Sequence, residues 1–286
     1  MSTAGLLIDL DNFVKRVLAE DLGTGGDVTS AATIGAGERF MADMNCREPI
    51  VVAGIEVAAA FFRALDQQVR IDIVIEDGEA AAAGTVLMRL DGNSRAMLAA
   101  ERSALNMLQH LSGIATLTRS YVEAIAGTGA KLLDTRKTVP GLRALDKYAA
   151  RMGGAHNHRL RLDDGVLIKD NHVAVCGDVG EAVRRAKAAN TGLQVQVEVD
   201  RIDQIEPALG AGADRLLLDN MPPALLCEAV ALVAGRVPLE ASGGVDLDTI
   251  RTIADTGVDF ISVGRITQSA PAVDIGMDYS PNTSGR

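Results

Sequence analysis

From about residue 130 to residue 265 the chain repeats one pattern: a short apolar, β-favouring run, an acidic residue or glycine pair, then a segment with helical spacing. The runs read KLLDT, GVLIKDN, QVQVEVD, DRLLLDN, VPLEASGG and FISVGR. Apolar residues at helical spacing predict helices between several of them, over 179–189, 202–209, 223–233 and 247–255. This alternation predicts parallel strands with crossover helices, and it presents polar residues at the carboxyl end of strand after strand. That rim is where a β/α barrel builds its site and where a doubly wound sheet opens its crevice. Six clear strands are fewer than the eight of a full barrel. The expectation is an α/β fold containing an incomplete β/α barrel.

Before residue 115 the texture differs. Strands are expected over 39–45, 51–53, 69–76 and 85–90, around an Ala-rich helix over 55–65. Leu10, Phe13, Val14, Val17 and Leu18 follow helical spacing and predict an amphipathic helix ending near Gly23. A long helix over about 96–111 would bridge to the barrel. The predicted organisation is a smaller amino-terminal α+β domain, open and sandwich-like, with the bridging helix over 1–113, then the α/β barrel domain over 114–286. The tail after Pro271 carries little pattern, and its place, on the barrel or back on the first domain, is left open.

Composition narrows the function classes. The 286 residues are 48% apolar but only 3% aromatic, without Trp, and carry a formal net charge of −10. A nucleic-acid binder needs a cationic face and stacking platforms, so nucleic acid is not an expected partner. No apolar run is long enough to span a bilayer, and Asp9 and Asp11 interrupt a signal-peptide reading, so membrane and export are not expected and the cytoplasm is. Cys46, Cys176 and Cys227 lack metal or redox spacing and read as packing residues in a reducing compartment. Charge is uneven: between Lys131 and His172 stand nine Lys and Arg against five Asp and Glu. A cationic island in an acidic chain would draw a small anion to one place.

Candidate chemistry clusters at the strand ends. Thr135, Arg136 and Lys137 follow a strand and precede a Pro-Gly turn, where an arginine fork beside a lysine suits carboxylate and phosphate. Salt bridges to Asp134 are the plainer alternative. Arg102 lies in an apolar helix whose i±3 and i±4 positions (Leu98, Ala99, Leu105, Asn106) offer no acid, so it either extends into solvent or needs an anion from elsewhere. HNHRLRLDDGVLIKDNH, residues 156–172, supplies His158, Arg159 and Lys169 as further cations, while His156 and His172 fit ordinary packing. A His-x-His zinc site lacks further ligands. Glu198 and Asp219 close successive strands and suit magnesium, which takes oxygen ligands and often arrives on a phosphate, or a cation developing at a sugar carbon. Ser242, Gly243, Gly244 and Val263, Gly264, Arg265 form two glycine turns on the last two strands, a common barrel phosphate site.

The motifs AERSALNMLQHLSGIAT, DTRKTVPGLRALDKYA, GGAHNHRL, LIKDNH, VEVD, LLLDN, ASGG and VGRITQS, in this order, resemble the quinolinate phosphoribosyltransferase family over nearly the whole chain. The resemblance implies a homodimer, with higher oligomers left open, whose barrel site is completed by the partner's amino-terminal domain. It implies transfer of a phosphoribosyl group from phosphoribosyl pyrophosphate to quinolinate, with decarboxylation, in NAD biosynthesis. Carried over to this chain, Arg136, Arg159 and Lys169, with His158 nearby, would hold the quinolinate carboxylates, and Arg102 would reach in from the other subunit. Lys137 would contact the pyrophosphate, and Glu198 and Asp219 would serve the ribose hydroxyls and Mg2+. Lys137, Lys169, Glu198 and Asp219 are the implied catalytic set, and the two glycine turns would take the 5′-phosphate. Arg265 and Gln268 depart from the family, which often has a small residue and His there. Two other readings remain: a nicotinate-type phosphoribosyltransferase, which usually couples to ATP through a phosphorylated His, and a non-catalytic barrel that binds phosphorylated ligands.

Overall fold

The local rules of the first unit are visible at its first helix. In this computed structural model, which describes residues 8–280, the Asp9 side chain caps α1 (Leu10–Leu22) by accepting from the Asn12 backbone N–H at 3.1 Å. Gly23 ends the helix, and Phe13, Val14 and Leu18 form its buried face. The first seven residues, part of the signal-peptide reading, and the last six of the tail lie outside the described residues.

The described residues up to Arg119, with Pro140–Gly154 and those from Ser269 on, form one compact unit; Ser120–Val139 and Ala155–Gln268 form the other. This contact-based grouping is discontinuous in the chain, unlike the single cut at residue 113 expected from the sequence.

The first unit contains α1, α2 (Val28–Thr33), β1 (Arg39–Cys46), β2 (Ile50–Val51), α3 (Ile55–Leu65), β3 (Arg70–Ile73), β4 (Ala80–Ala81) and β5 (Val86–Asn93). Its main sheet has the order β12-β1-β5-β3, where β12 is Ile275–Tyr279, and its neighbouring strands are antiparallel. Six of the eleven residues of α3 are buried, and Phe61 meets Phe13 edge-on with ring centroids 6.4 Å apart. The tail is thus placed: Ile275 pairs with Cys46 and Tyr279 with Ala42, and Gln109 donates to the Ile275 carbonyl at 2.7 Å.

The bridging helix is longer than expected. α4 runs Ser94–Ala124, and the change of unit after Arg119 falls inside it. α5 (Arg143–Gly153) returns to the first unit, where Asp146 accepts from His110 at 2.8 Å and Tyr148 donates to Asp77 at 2.5 Å. The cationic island of the sequence is therefore divided. Arg143, Lys147 and Arg151 sit on α5 in the first unit, with Lys147 buried, while Arg161 pairs with Asp163 at 2.8 Å.

The second unit is built on six parallel strands. β6 (Lys131–Leu133), β7 (Val166–Ile168), β8 (Val195–Val199), β9 (Arg215–Asp219), β10 (Leu239–Ser242) and β11 (Phe260–Ser262) stand in the order β6-β11-β10-β9-β8-β7. The first strand lies beside the last, as closure of a barrel requires, and on its other side Leu133 makes one parallel bridge to His156. No ladder among the described residues joins that segment to β7, so the barrel is incomplete, as expected.

α6 (Asp170–Cys176), α7 (Val179–Ala188), α8 (Ile205–Gly210), α9 (Pro223–Val233), α10 (Ile250–Ala254) and α11 (Arg265–Gln268) follow these strands. Between strand residues such as Val195, Val197, Val199, Leu216 and Leu218, all buried, aliphatic packing is worth about 1.5–3 kcal/mol per fully buried side chain. The cysteine expectation holds for buried Cys46, but Cys227 is exposed. No helix among the described residues is long and apolar enough to cross a membrane.

Candidate active site

The strand ends of the second unit surround a cavity of about 750 Å³. Thr135, Arg136 and Lys137 enter it after β6, His158 and Arg159 after the His156 bridge, and Lys169 after β7. Asp219 enters from the end of β9, Ser242, Gly243 and Gly244 from β10, and Val263, Gly264 and Arg265 from β11. Thirteen of the fifteen residues singled out from the sequence thus share one cavity. Two do not line it: Arg102 is exposed on α4 in the first unit, and Glu198, near the end of β8, pairs with Lys169.

Strand alternation explains which side chains face inward. Asp219 pairs with Ser242, Leu217 with Glu240, and Gln196 with Arg215, while Leu216, Leu218, Leu239 and Ala241 alternate with them and are buried. The register of the parallel ladder therefore carries one inward row from strand to strand, and the turns beyond it carry the charge.

Positive charge is held close together. Burial first, then the neighbouring Arg136 charge, push the Arg159 guanidinium below its ordinary affinity for its proton, with Asp164 opposing. Arg159 Nη1 donates to the Gly165 carbonyl at 2.9 Å. Arg136 Nε and Arg159 Nε are buried without a hydrogen-bond partner among the described residues, as donors awaiting an acceptor would be. Lys169 Nζ donates to Glu198 Oε2 at 2.6 Å.

The salt bridges to Asp134 offered as the plainer reading of Arg136 and Lys137 are not what occupies that acid. Asp134 is fully buried, its Oδ1 accepts from the His158 backbone N–H at 2.8 Å, and its other oxygen accepts from the Asn157 amide. It pins the HNH turn. His172 Nδ1 accepts from the Lys169 backbone N–H at 3.0 Å, and His156 serves through its backbone, donating to the Leu132 carbonyl at 2.9 Å.

The glycine turns have steric reasons. Gly243 has φ +99°, and a Cβ there would stand 2.2 Å from Asn220 Oδ1 and 3.0 Å from the Asn220 nitrogen. A Cβ on Gly264 would stand 2.8 Å from Lys137 Cδ, so that glycine lets the lysine side chain pass close by. The Lys137 backbone is fixed from both sides: its N–H donates to Thr135 Oγ1 at 3.0 Å and its carbonyl accepts from Thr267 Oγ1 at 2.7 Å.

Sequence reasoning missed Glu240, Arg215 and Gln196. Glu240 lines the cavity and is fully buried, with Gln196 Nε2 and Arg215 Nη2 each 2.8 Å from its Oε2. Polar residues inside otherwise apolar strands, as in VPLEAS and DRLLLD, were the available signal.

Fold and cavity together define the class: an α/β barrel protein that gathers cations, acids and glycine turns at its strand ends around one cavity. The family models agree in detail. Residues 27–112 match the quinolinate phosphoribosyl transferase N-terminal domain and residues 114–278 its C-terminal domain. The chain belongs to the quinolinate phosphoribosyl transferase family.

It is 44% identical over 273 residues to the nicotinate-nucleotide pyrophosphorylase [carboxylating] of Mycobacterium leprae, covering 93% of this chain and 95% of that one. The nicotinate-nucleotide pyrophosphorylase structures from Francisella tularensis and Ehrlichia chaffeensis superpose with TM-scores of 0.91 and 0.92, each at 39% identity. They cover 95% and 96% of this chain, and 96% and 100% of their own. The two family matches end at residue 112 and begin at residue 114, whereas contacts assign 140–154 and the tail to the first unit.

Proposed function

We propose that the chain joins quinolinate to phosphoribosyl pyrophosphate, releasing pyrophosphate and carbon dioxide and leaving nicotinate mononucleotide for NAD biosynthesis. The observation that carries this reading is the convergence of Arg136, Arg159, Lys137 and Lys169 with the Gly243–Gly244 and Gly264 turns on one cavity, in a chain of this family. In this reading the guanidinium forks of Arg136 and Arg159 take the diacid, and Lys169 assists. Lys137 meets the pyrophosphate, and the glycine turns take the 5′-phosphate.

The chemistry follows from where charge develops. As the C1′–O bond breaks, pyrophosphate leaves with the electron pair and the ribosyl carbon becomes oxocarbenium-like; Asp219 and Glu198 lower the energy of that cation. The pyridine nitrogen then attacks C1′. Loss of carbon dioxide from the adjacent ring carbon leaves an electron pair beside the quaternised nitrogen, which stabilises it until a proton arrives. The protein's main task is orientation.

Magnesium belongs to the proposal as a companion of phosphoribosyl pyrophosphate. Glu198 Oε2 already accepts from Lys169, and Asp219 Oδ2 accepts from Asn220 at 2.6 Å. No group of three or more His, Cys, Asp or Glu side chains suited to a metal exists among the described residues. This donor set fits an ion that brings most of its oxygen ligands on the substrate. The active form is proposed to be a homodimer in which Arg102, exposed and without a salt bridge among the described residues, reaches the diacid of the other copy. A cytoplasmic setting is proposed as well, in keeping with three unpaired cysteines.

The nicotinate-type reading asks for a histidine free to be phosphorylated. His158 fits that role poorly: its Nδ1 accepts from the Arg159 backbone N–H at 2.8 Å and its Nε2 stands 3.5 Å from Glu240. Incubation with phosphoribosyl pyrophosphate, magnesium and either pyridine acid tests the proposal. Carbon dioxide and nicotinate mononucleotide are expected from quinolinate, and nucleotide formed from nicotinate alone would overturn it.

A further inference from the structure

Glu240 presents a contradiction. It is fully buried near the start of β10, yet it lines the cavity in which the proposed reaction gathers anions. A bare carboxylate there would repel a diacid. Its surroundings resolve this. Oε2 accepts from Gln196 Nε2 at 2.8 Å, lies 2.8 Å from Arg215 Nη2, and lies 3.5 Å from His158 Nε2. The Arg215 guanidinium lies over the Phe260 ring, 3.9 Å from its centroid. Each of the four neighbouring strands β8 to β11 contributes one side chain to this cluster, and the acid is neutralised within it.

His158 gives the cluster a direction. Its Nδ1 accepts from the Arg159 backbone N–H at 2.8 Å, so that nitrogen carries no proton and Nε2 carries it toward Glu240. Arg159 in turn places its guanidinium in the cavity beside Arg136. A chain of contacts therefore runs from a buried acid on β10, through an imidazole, to the backbone of the residue that presents the guanidinium.

We infer that Glu240 is a positioning residue for the quinolinate end of the site: it orients the His158 ring, which holds the Arg159 backbone and so sets where that guanidinium meets a carboxylate. The inference rests on the quinolinate reading. A purely structural ion pair inside the barrel would serve both substrates equally, whereas a positioning residue aimed at Arg159 serves one.

The test uses the full-length protein. Quinolinate binding by calorimetry and the Michaelis constants for both substrates are measured for the wild type, Glu240→Gln, His158→Asn and the double variant. Glu240→Gln is expected to weaken quinolinate binding about tenfold, the scale of a lost hydrogen bond to a charged group, with the constant for phosphoribosyl pyrophosphate unchanged. The double variant should be no worse than the weaker single, because both act along one path.

Should Glu240→Gln fail to fold, Glu240→Asp keeps the charge beside Arg215 and Gln196 but shortens the reach to His158; the same selective loss is expected. Unchanged quinolinate binding, equal losses for both substrates, or additive effects in the double variant would each overturn the inference. A wild type that binds no quinolinate at all would instead overturn the functional reading on which it rests.

Discussion

Lys169 Nζ and Glu198 Oε2 lie 2.6 Å apart, joining the end of β7 to the end of β8. The lysine side chain is 48% exposed and lines the cavity, while the acid is 10% exposed and does not. Glu198 thus acts on the cavity partly by holding the lysine. With the lysine half-exposed to solvent, the pair contributes about 0–1 kcal/mol to folding. Lys169→Ala is therefore expected to leave the melting temperature within about 4 °C of the wild type, a shift of that small energy. It should lower kcat/KM for quinolinate about a hundredfold or more, the scale of losing a charged contact at the reacting centre. Thermal melts and initial rates check both halves; a large loss of stability with activity preserved would make the pair structural.

Gly243 and Gly244 make a second contrast. Both have positive φ, +99° and +62°, but only at Gly243 would a Cβ collide, with the Asn220 side chain and backbone nitrogen. At Gly244 the space is open, so alanine there costs only the left-handed backbone, about 1–2 kcal/mol. Gly243→Ala should therefore lower the melting temperature more than Gly244→Ala, and it should raise the KM for phosphoribosyl pyrophosphate more. Equal effects would mean that this turn does not need its close approach.

Arg265 lines the cavity, and its charge helps to hold the Asp246 carboxyl below the usual carboxylate range, after the larger effect of Thr249. Asp246 nevertheless keeps to its own turn, accepting from the Thr249 N–H at 2.9 Å and hydroxyl at 2.7 Å, and Arg265 forms no salt bridge among the described residues. In the proposed reading the guanidinium is left for a phosphate. Arg265→Ala should raise the KM for phosphoribosyl pyrophosphate about tenfold, as expected for one lost charge-assisted contact, and leave that for quinolinate unchanged. An unaltered KM would return Arg265 to the solvated surface.

What the sequence made legible was the rim. Acids and glycines punctuate the apolar runs, so the ends of β6 to β11 could be placed within a few residues, and most of the cavity wall with them. What it hid depends on long-range contact. β12 has a Gly and a Met–Asp–Tyr ending with no period of its own, and it becomes a strand only by pairing with β1, more than two hundred residues away in sequence. α5 carries four of the island's charges, which suggested a solvated or anion-binding stretch; instead Asp146 and Lys147 are buried in the first unit. Glu240 sat in plain view in VPLEAS, but only the ladder with β9 and β11 turns it inward beside Arg215.

Arg102 tests assembly. Its charge acts on Glu101, whose carboxyl burial pushes up while Arg102 opposes the shift, but it has no salt bridge among the described residues. If Arg102 serves the cavity of another copy, Arg102→Ala and Lys169→Ala proteins should each be nearly inactive alone. Unfolding and refolding them together should restore up to about one quarter of wild-type activity, since half of the chains pair as hybrids and each hybrid holds one intact site. No recovery on mixing would place both residues in the same copy's site, or remove Arg102 from it.

Acid should expose the Glu240 cluster. Burial alone would push its carboxyl up, yet the hydrogen bond of His158, with Arg215 and Gln196, outweighs burial and holds it below its ordinary value of 4.5. A carboxyl whose pKa is lower folded than unfolded contributes stability that is complete above the unfolded value and is lost as pH falls through the folded one. The stability advantage of the wild type over Glu240→Gln should therefore be constant from neutral pH down to about 4.5 and shrink below it. Urea unfolding of both proteins from pH 7 to pH 3.5 measures that gap. A gap that widened with acid would mean that the carboxyl is protonated in the folded barrel, and that His158 is held by something other than its charge.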